Sequence, residues 1–174
     1  GGSYKEAYAH YGVVGSGYSN RAGDAAADTA AAVAGGYDND ALAKGSIVCG
    51  GRNNNADSSY ATVAGGHSNT ASDNYATVAG GYSNIASDVY AIVGGGYNNT
   101  ADGNSATVAG GNNNFADTSY STVGGGYRNV ASHYATTVSG GDADTASANF
   151  ACVAGGHSNR ASGYAATVSG GLNN

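Results

Sequence analysis

A valine recurs every 15 residues, without interruption, from Val33 to Val168. The series is Val33, Val48, Val63, Val78, Val93, Val108, Val123, Val138, Val153 and Val168, and each member is followed two and three positions later by Gly-Gly, as in Gly80-Gly81. Numbered from this valine as position 1, the repeat reads V-A-G-G-Y-S-N-x-A-S-D-x-Y-A-T. A fixed period of this length, with no helical spacing of apolar residues, is the signature of a solenoid. Each repeat then forms one coil and buries its apolar side chains only by stacking on its neighbours.

The frame extends backwards. Val14 also occupies position 1 but lies 19 residues before Val33, which predicts a four-residue insertion within residues 24–28. Gly1-Gly2 and Ala7 still fall on their expected positions, and the other end stops inside a repeat at Gly170-Gly171-Leu172-Asn173-Asn174. Residues 1–174 therefore read as a single array cut from a longer one.

Within a coil, positions 13 to 2 alternate as a strand does. In Tyr75-Ala76-Thr77-Val78-Ala79, Ala76 and Val78 share one face and Tyr75, Thr77 and Ala79 the other. Position 9 is alanine in every repeat, including Ala71, Ala86, Ala101, Ala116 and Ala131, whereas position 8 accepts Ile85, Phe115 and Arg160 alike. A site fixed as alanine faces a tight interior and one that accepts anything faces solvent. The expected lumen is lined by those alanines with Val63, Val78, Val93, Val108 and Val123. Gly80-Gly81 turns the corner where a backbone without Cβ is needed. Asn69, Asn84 and Asn99 follow, at a corner position where asparagine tolerates unusual backbone and can stack its amide from coil to coil. The fold class is all-β, a parallel β-solenoid of about eleven coils, roughly 50 Å long at ~4.8 Å per coil.

Only 10% of the residues are charged and the net charge is −6. The six Lys and Arg are scattered, which disfavours nucleic acid or an anionic membrane as partner. No apolar run approaches the ~20 residues of a membrane-spanning helix. Large aliphatic side chains are scarce, so a thin coil buries little by itself. Tyr60, Tyr75, Tyr90, Tyr120 and Phe150, with Thr62, Thr77, Thr107 and Thr122 beside them, form an outward strip that a homotrimer or other lateral assembly would cover.

Catalytic and metal-binding constellations are not expected, and neither is a cofactor. His67 and His157 share position 5 but stand six coils apart. Cys49 and Cys152 are about seven coils apart, beyond the ~7 Å Cα limit of a disulfide. Gly140-Gly141-Asp142-Ala143-Asp144 is a single, incomplete match to a calcium-binding nonapeptide. The tyrosines at position 5 (Tyr18, Tyr37, Tyr82, Tyr97, Tyr127) are interrupted by Arg52, His67, Asn112, Asp142 and His157. They read as corner packing, with contact to a glycan or host protein as the alternative.

The segment Tyr75-Ala76-Thr77-Val78-Ala79-Gly80-Gly81-Tyr82-Ser83-Asn84-Ile85-Ala86-Ser87 resembles the head repeats of trimeric autotransporter adhesins, the YadA-like group. The resemblance implies a left-handed parallel β-roll and three chains side by side on a bacterial cell surface, adhering to host matrix protein, cells or abiotic surfaces. Similar repeats occur in phage-type tail-fibre proteins, so a virion fibre shaft is the alternative in the same class. Ice or glycan binding by the solenoid face is the alternative in another. The period of 15 in place of about 14, and the doubled glycine, depart from that family's pattern.

Overall fold

The computed structural model describes residues 4–24 and 29–174. The insertion expected within residues 24–28 lies, apart from Asp24, outside the described residues. Among the described residues every coil contributes two strands of two residues, and these 22 strands sort into two eleven-stranded parallel sheets. The valine sheet runs from Val13–Val14 to Thr167–Val168. In it Thr77 pairs with Thr62 and Ile92, and Val78 with Val63 and Val93. The alanine sheet runs from Glu6–Ala7 to Arg160–Ala161, with Ala86 between Ala71 and Ala101. Single bridges at position 5, such as His67–Tyr82–Tyr97, form a third line of contact. The constant period sets this register, because a slip of one residue would turn the threonines into the lumen.

The parallel solenoid of eleven coils is thus the fold, but its straight runs are shorter than the alternation predicts. Tyr75 is not on the strand. The strand is Thr77–Val78 alone, and Tyr75 sits in the turn before it with φ of 60°, as do Tyr60 (60°), Tyr90 (59°), Tyr120 (61°) and Phe150 (62°). A second left-handed residue precedes each position-7 asparagine: Ser68 (56°), Ser83 (53°) and Asn98 (52°). The unusual backbone expected at the asparagines therefore belongs to their neighbours. Two left-handed residues and a Gly-Gly corner in each coil bring 15 residues back above their start, which leaves room for only two-residue strands. At the corner Gly81 has φ of 90°, and a Cβ there would lie 2.2 Å from the carbonyl oxygen of Gly96. Alanine cannot replace it.

The lumen is filled by small side chains. Val63, Val78, Val93, Val108 and Val123 are wholly buried, as are Ala71, Ala86, Ala101, Ala116 and Ala131. A further column at position 14, including Ala61, Ala76, Ala91 and Ala106, closes the interior. In the outermost coils Ala7 is exposed and Val168 half-buried.

Asparagine forms a second, polar core. Asn84 is fully buried. Its Nδ2 donates to the carbonyls of Gly80 at 2.8 Å and Gly96 at 2.9 Å. Its backbone N–H donates to Oδ1 of Asn69 at 3.0 Å, and its own Oδ1 accepts from the N–H of Asn99 at 2.9 Å. The side chain thereby ties its own corner to the following coil, the backbone N–H ties it to the preceding one, and every polar atom of the amide is used. Buried amides are tolerated on that condition. The pattern repeats at Asn54, Asn69, Asn99, Asn114 and Asn129.

Between Asn129 and Asn159 the column carries Asp144 in place of asparagine. Its Oδ1 accepts from the Asn159 N–H at 2.7 Å and Nδ2 at 3.1 Å. Its Oδ2, buried and without a hydrogen-bond partner, occupies the corner beside Gly141 where the other coils place Nδ2.

Candidate functional site

With the interior filled, the chemistry that a partner can reach lies on the outside of the coils, in columns that repeat once per coil. The first column is at position 13, in the turn before the valine sheet. Tyr60 and Tyr75 stack with centroids 5.2 Å apart and planes 8° from parallel, and Tyr75 and Tyr90 at 5.0 Å and 15°. Lys44 lies over the Tyr60 ring at 5.8 Å. Ser105 then interrupts the stack. Beyond it Tyr120 does not meet Phe150 directly, because Tyr134, from position 12, stands between them at 5.5 Å and 5.6 Å in edge contacts. Tyr164 continues the series from position 12 in the same way. In both of these coils position 13 is an alanine, Ala135 or Ala165. The ring has moved one residue along the turn and the column persists.

The rings of the predicted strip are exposed, from 42% at Tyr60 to 55% at Tyr120. The threonines of that strip, Thr62, Thr77, Thr107 and Thr122, are half-buried on the valine sheet, in one column with the exposed Ile47 and Ile92. Ala64, Ala79 and Ala109, two residues beyond the threonines, are also exposed, so small side chains border the column.

A second column runs at position 5, beyond the Gly-Gly corner. Tyr18 and Tyr37 stack at 5.2 Å and 11°, and Tyr82 and Tyr97 at 5.2 Å and 6°. Two of the residues read from sequence as interruptions continue it. The Arg52 guanidinium lies over the Tyr37 ring at 5.2 Å, and the His67 imidazole stacks on Tyr82 at 5.0 Å and 16°. Both groups are planar and present a π-face or a delocalised cation to the next ring. That property was readable in the residue types, and a search for tyrosine alone misses it. Farther on, Arg128 covers Tyr127 at 4.6 Å, and His157 Nδ1 meets Asp142 Oδ2 at 3.2 Å. Asn112 breaks this column seven residues after Ser105 breaks the first.

Charge gathers near the first coils. A shallow depression of about 380 Å³ is lined by Tyr4, Glu6, Ser19, Arg21, Asp38 and Asp40, and Arg21 Nη2 holds Asp40 Oδ2 at 3.1 Å. Burial raises the Asp57 carboxyl above the usual carboxylate range, a hydrogen bond from Asn55 opposes this, and the nearby charge of Asp40 adds to it. The hydroxyl of Tyr8 is likewise raised, by its hydrogen bond to Glu6 and by that residue's charge. Among the described residues no three of His, Cys, Asp and Glu come together as metal ligands. Cys49 and Cys152 are free thiols, and among the described residues no helix is long and apolar enough to cross a membrane.

A filled lumen, corners locked by asparagine and outward columns repeated at every coil define a parallel β-solenoid. Residues 76–87 match the ubiquitous surface protein adhesin repeat. The matched stretch runs from the lumenal Ala76 through the valine strand, Gly80-Gly81 and Asn84 to Ser87, so it spans the elements that close one coil. No curated protein matches the chain.

Proposed function

We propose that this chain is a non-catalytic, adhesive segment of an extracellular fibre on a bacterial cell surface. The observation that carries the reading is the adhesin-repeat match at residues 76–87, a segment whose pattern recurs in frame along the array. Each exposed side chain returns about every 4.8 Å. Weak contacts to a host matrix protein or a surface polysaccharide therefore multiply along the rod, and binding rests on avidity rather than on one residue. The strip of Tyr60, Tyr75, Tyr90, Tyr120 and Phe150 with its threonines is the face that a homotrimer would bury.

Chains shortened by whole coils test this reading. Attachment to collagen-like matrix, polysaccharide and glass should fall steeply with each coil removed, while replacing any single tyrosine changes it little. Tyr90→Lys combined with Thr77→Lys should shift sedimentation towards the monomer. If one point substitution abolishes attachment and shortening does not, the protein binds through a discrete site and the proposal fails.

A further inference from the structure

Two pairs of phenols in the position-5 column lie in a geometry suited to radical coupling. Tyr82 and Tyr97 stack at 5.2 Å with 6° between their planes, and Tyr18 and Tyr37 at 5.2 Å with 11°. All four rings are exposed, between 42% and 50%, so an oxidant can reach them. Because the coils are in register, the ortho carbons of one ring lie about one strand spacing, ~4.8 Å, from those of the next. A modest swing of two surface rings closes that distance. Position 5 lies outside the Tyr/Thr strip that the function proposed above gives to a homotrimer, so on that reading these pairs stay accessible in the assembly.

We propose that Tyr82–Tyr97 and Tyr18–Tyr37 are sites of oxidative cross-linking, at which a haem peroxidase with hydrogen peroxide joins neighbouring coils through a dityrosine bond. Each phenol gives up one electron and its hydroxyl proton. The two phenoxyl radicals combine through one ortho carbon each, forming a carbon–carbon bond. The two ortho hydrogens then move as protons to the oxygens and restore both phenols. Hydrogen peroxide takes the two electrons and two protons and leaves as two molecules of water.

The surroundings of the other tyrosines give the reaction its selectivity. Tyr127 has Asn112 and Asp142 as its column neighbours and no stacked phenol. Tyr120 meets Tyr134 at 75°, edge to face. Tyr60, Tyr75 and Tyr90 share the favourable stack and should couple as well in the unassociated chain, while on the reading proposed above assembly would cover them. A bond between position-5 residues closes a loop of one coil, restricts the unfolded chain and pins that coil to its neighbour.

The test oxidises the chain with a haem peroxidase and hydrogen peroxide, at a dilution that disfavours encounters between chains. The expected product is a single chain with blue dityrosine fluorescence, lighter by two hydrogens per bond. Tandem mass spectrometry should join the Tyr82 peptide to the Tyr97 peptide and Tyr18 to Tyr37, and the product should melt at a higher temperature than the untreated chain. Tyr97→Phe keeps a ring in the stack, and should remove the first bond and leave the second. Tyr37→Phe should do the reverse. The proposal is overturned if bonds form only between chains, or if Tyr127 is coupled as often as Tyr82. It is overturned equally if no bond forms at these pairs while free tyrosine in the same reaction is coupled.

Discussion

The asparagine column inside the corners and the planar column at position 5 outside them both repeat once per coil, yet they treat substitution in opposite ways. Inside, Asn20, Asn39, Asn54 and their successors hold one residue type, and the one carboxylate that enters, Asp144, leaves a buried oxygen without a partner. Outside, Arg52 and His67 stand where other coils carry tyrosine, the first packed over Tyr37 and the second stacked on Tyr82. A hydrogen-bonded ladder needs a donor and an acceptor at fixed points, since a buried polar group left unpaired costs about 1–3 kcal/mol. A stacked ladder needs only a flat group of the right thickness, with water available to its edges. The difference lies in directionality, and it separates the positions that the fold dictates from those open to functional change.

The largest effect should come from breaking the inner ladder. Asn84→Ala strands the carbonyl of Gly80 and the N–H of Asn99, and takes from the Gly96 carbonyl one of its two donors. We expect a loss of about 3 kcal/mol or more in urea unfolding. A loss as small as that of an exposed substitution would show that water replaces the amide and that the column is not a core. Next in size is overpacking of the lumen. Ala86→Leu forces a larger side chain into a fully buried site and should cost ~2 kcal/mol. Ile85→Leu on the exposed neighbour should stay within about 0.5 kcal/mol. Equal melting shifts for the two would reverse the assignment of inside and outside.

Repairing the ladder should do the opposite. Asp144→Asn replaces the unpartnered oxygen by a donor that faces the corner carbonyls, and should stabilise the chain by about 1–2 kcal/mol. An unchanged or lower Tm would mean that the carboxylate is satisfied in some other way. The smallest effects belong to the outer column. His67→Tyr keeps a flat ring against Tyr82 and should be neutral within about 0.5 kcal/mol. His67→Ser removes the stack and should cost ~0.5–1 kcal/mol. If the two variants melt alike, planarity is not what the column selects.

Much of the fold is legible in the sequence. The valine spacing alone defines the number of coils, and the alanines at position 9 mark the inside. Two things escape for definite reasons. The alanine-sheet strands are two residues long, too short to show an alternation, and their outward position 8 carries anything from Glu6 to Phe115. The left-handed tyrosines run against local preference, because a bulky aromatic residue rarely adopts positive φ. The stacked neighbours and the in-register ladder override that preference, and neither is visible in a single repeat. The outer columns are half legible. Tyrosine can be counted, but the moves to Tyr134 and Tyr164, and the parts played by Arg52 and His67, appear only when groups are compared by shape.

The ladder hydrogen bonds, such as that from Thr77 N–H to the Ala91 carbonyl at 2.9 Å, join each coil to the next one and to nothing farther away. Tension applied between the two ends of the rod therefore loads the outermost coil first, and strands lying across the pull separate by unzipping. Each coil that comes away exchanges ~4.8 Å of rod for roughly 50 Å of extended chain, at about 3.3–3.6 Å per residue. A solenoid of this construction should lengthen under tension in coil-sized steps rather than all at once.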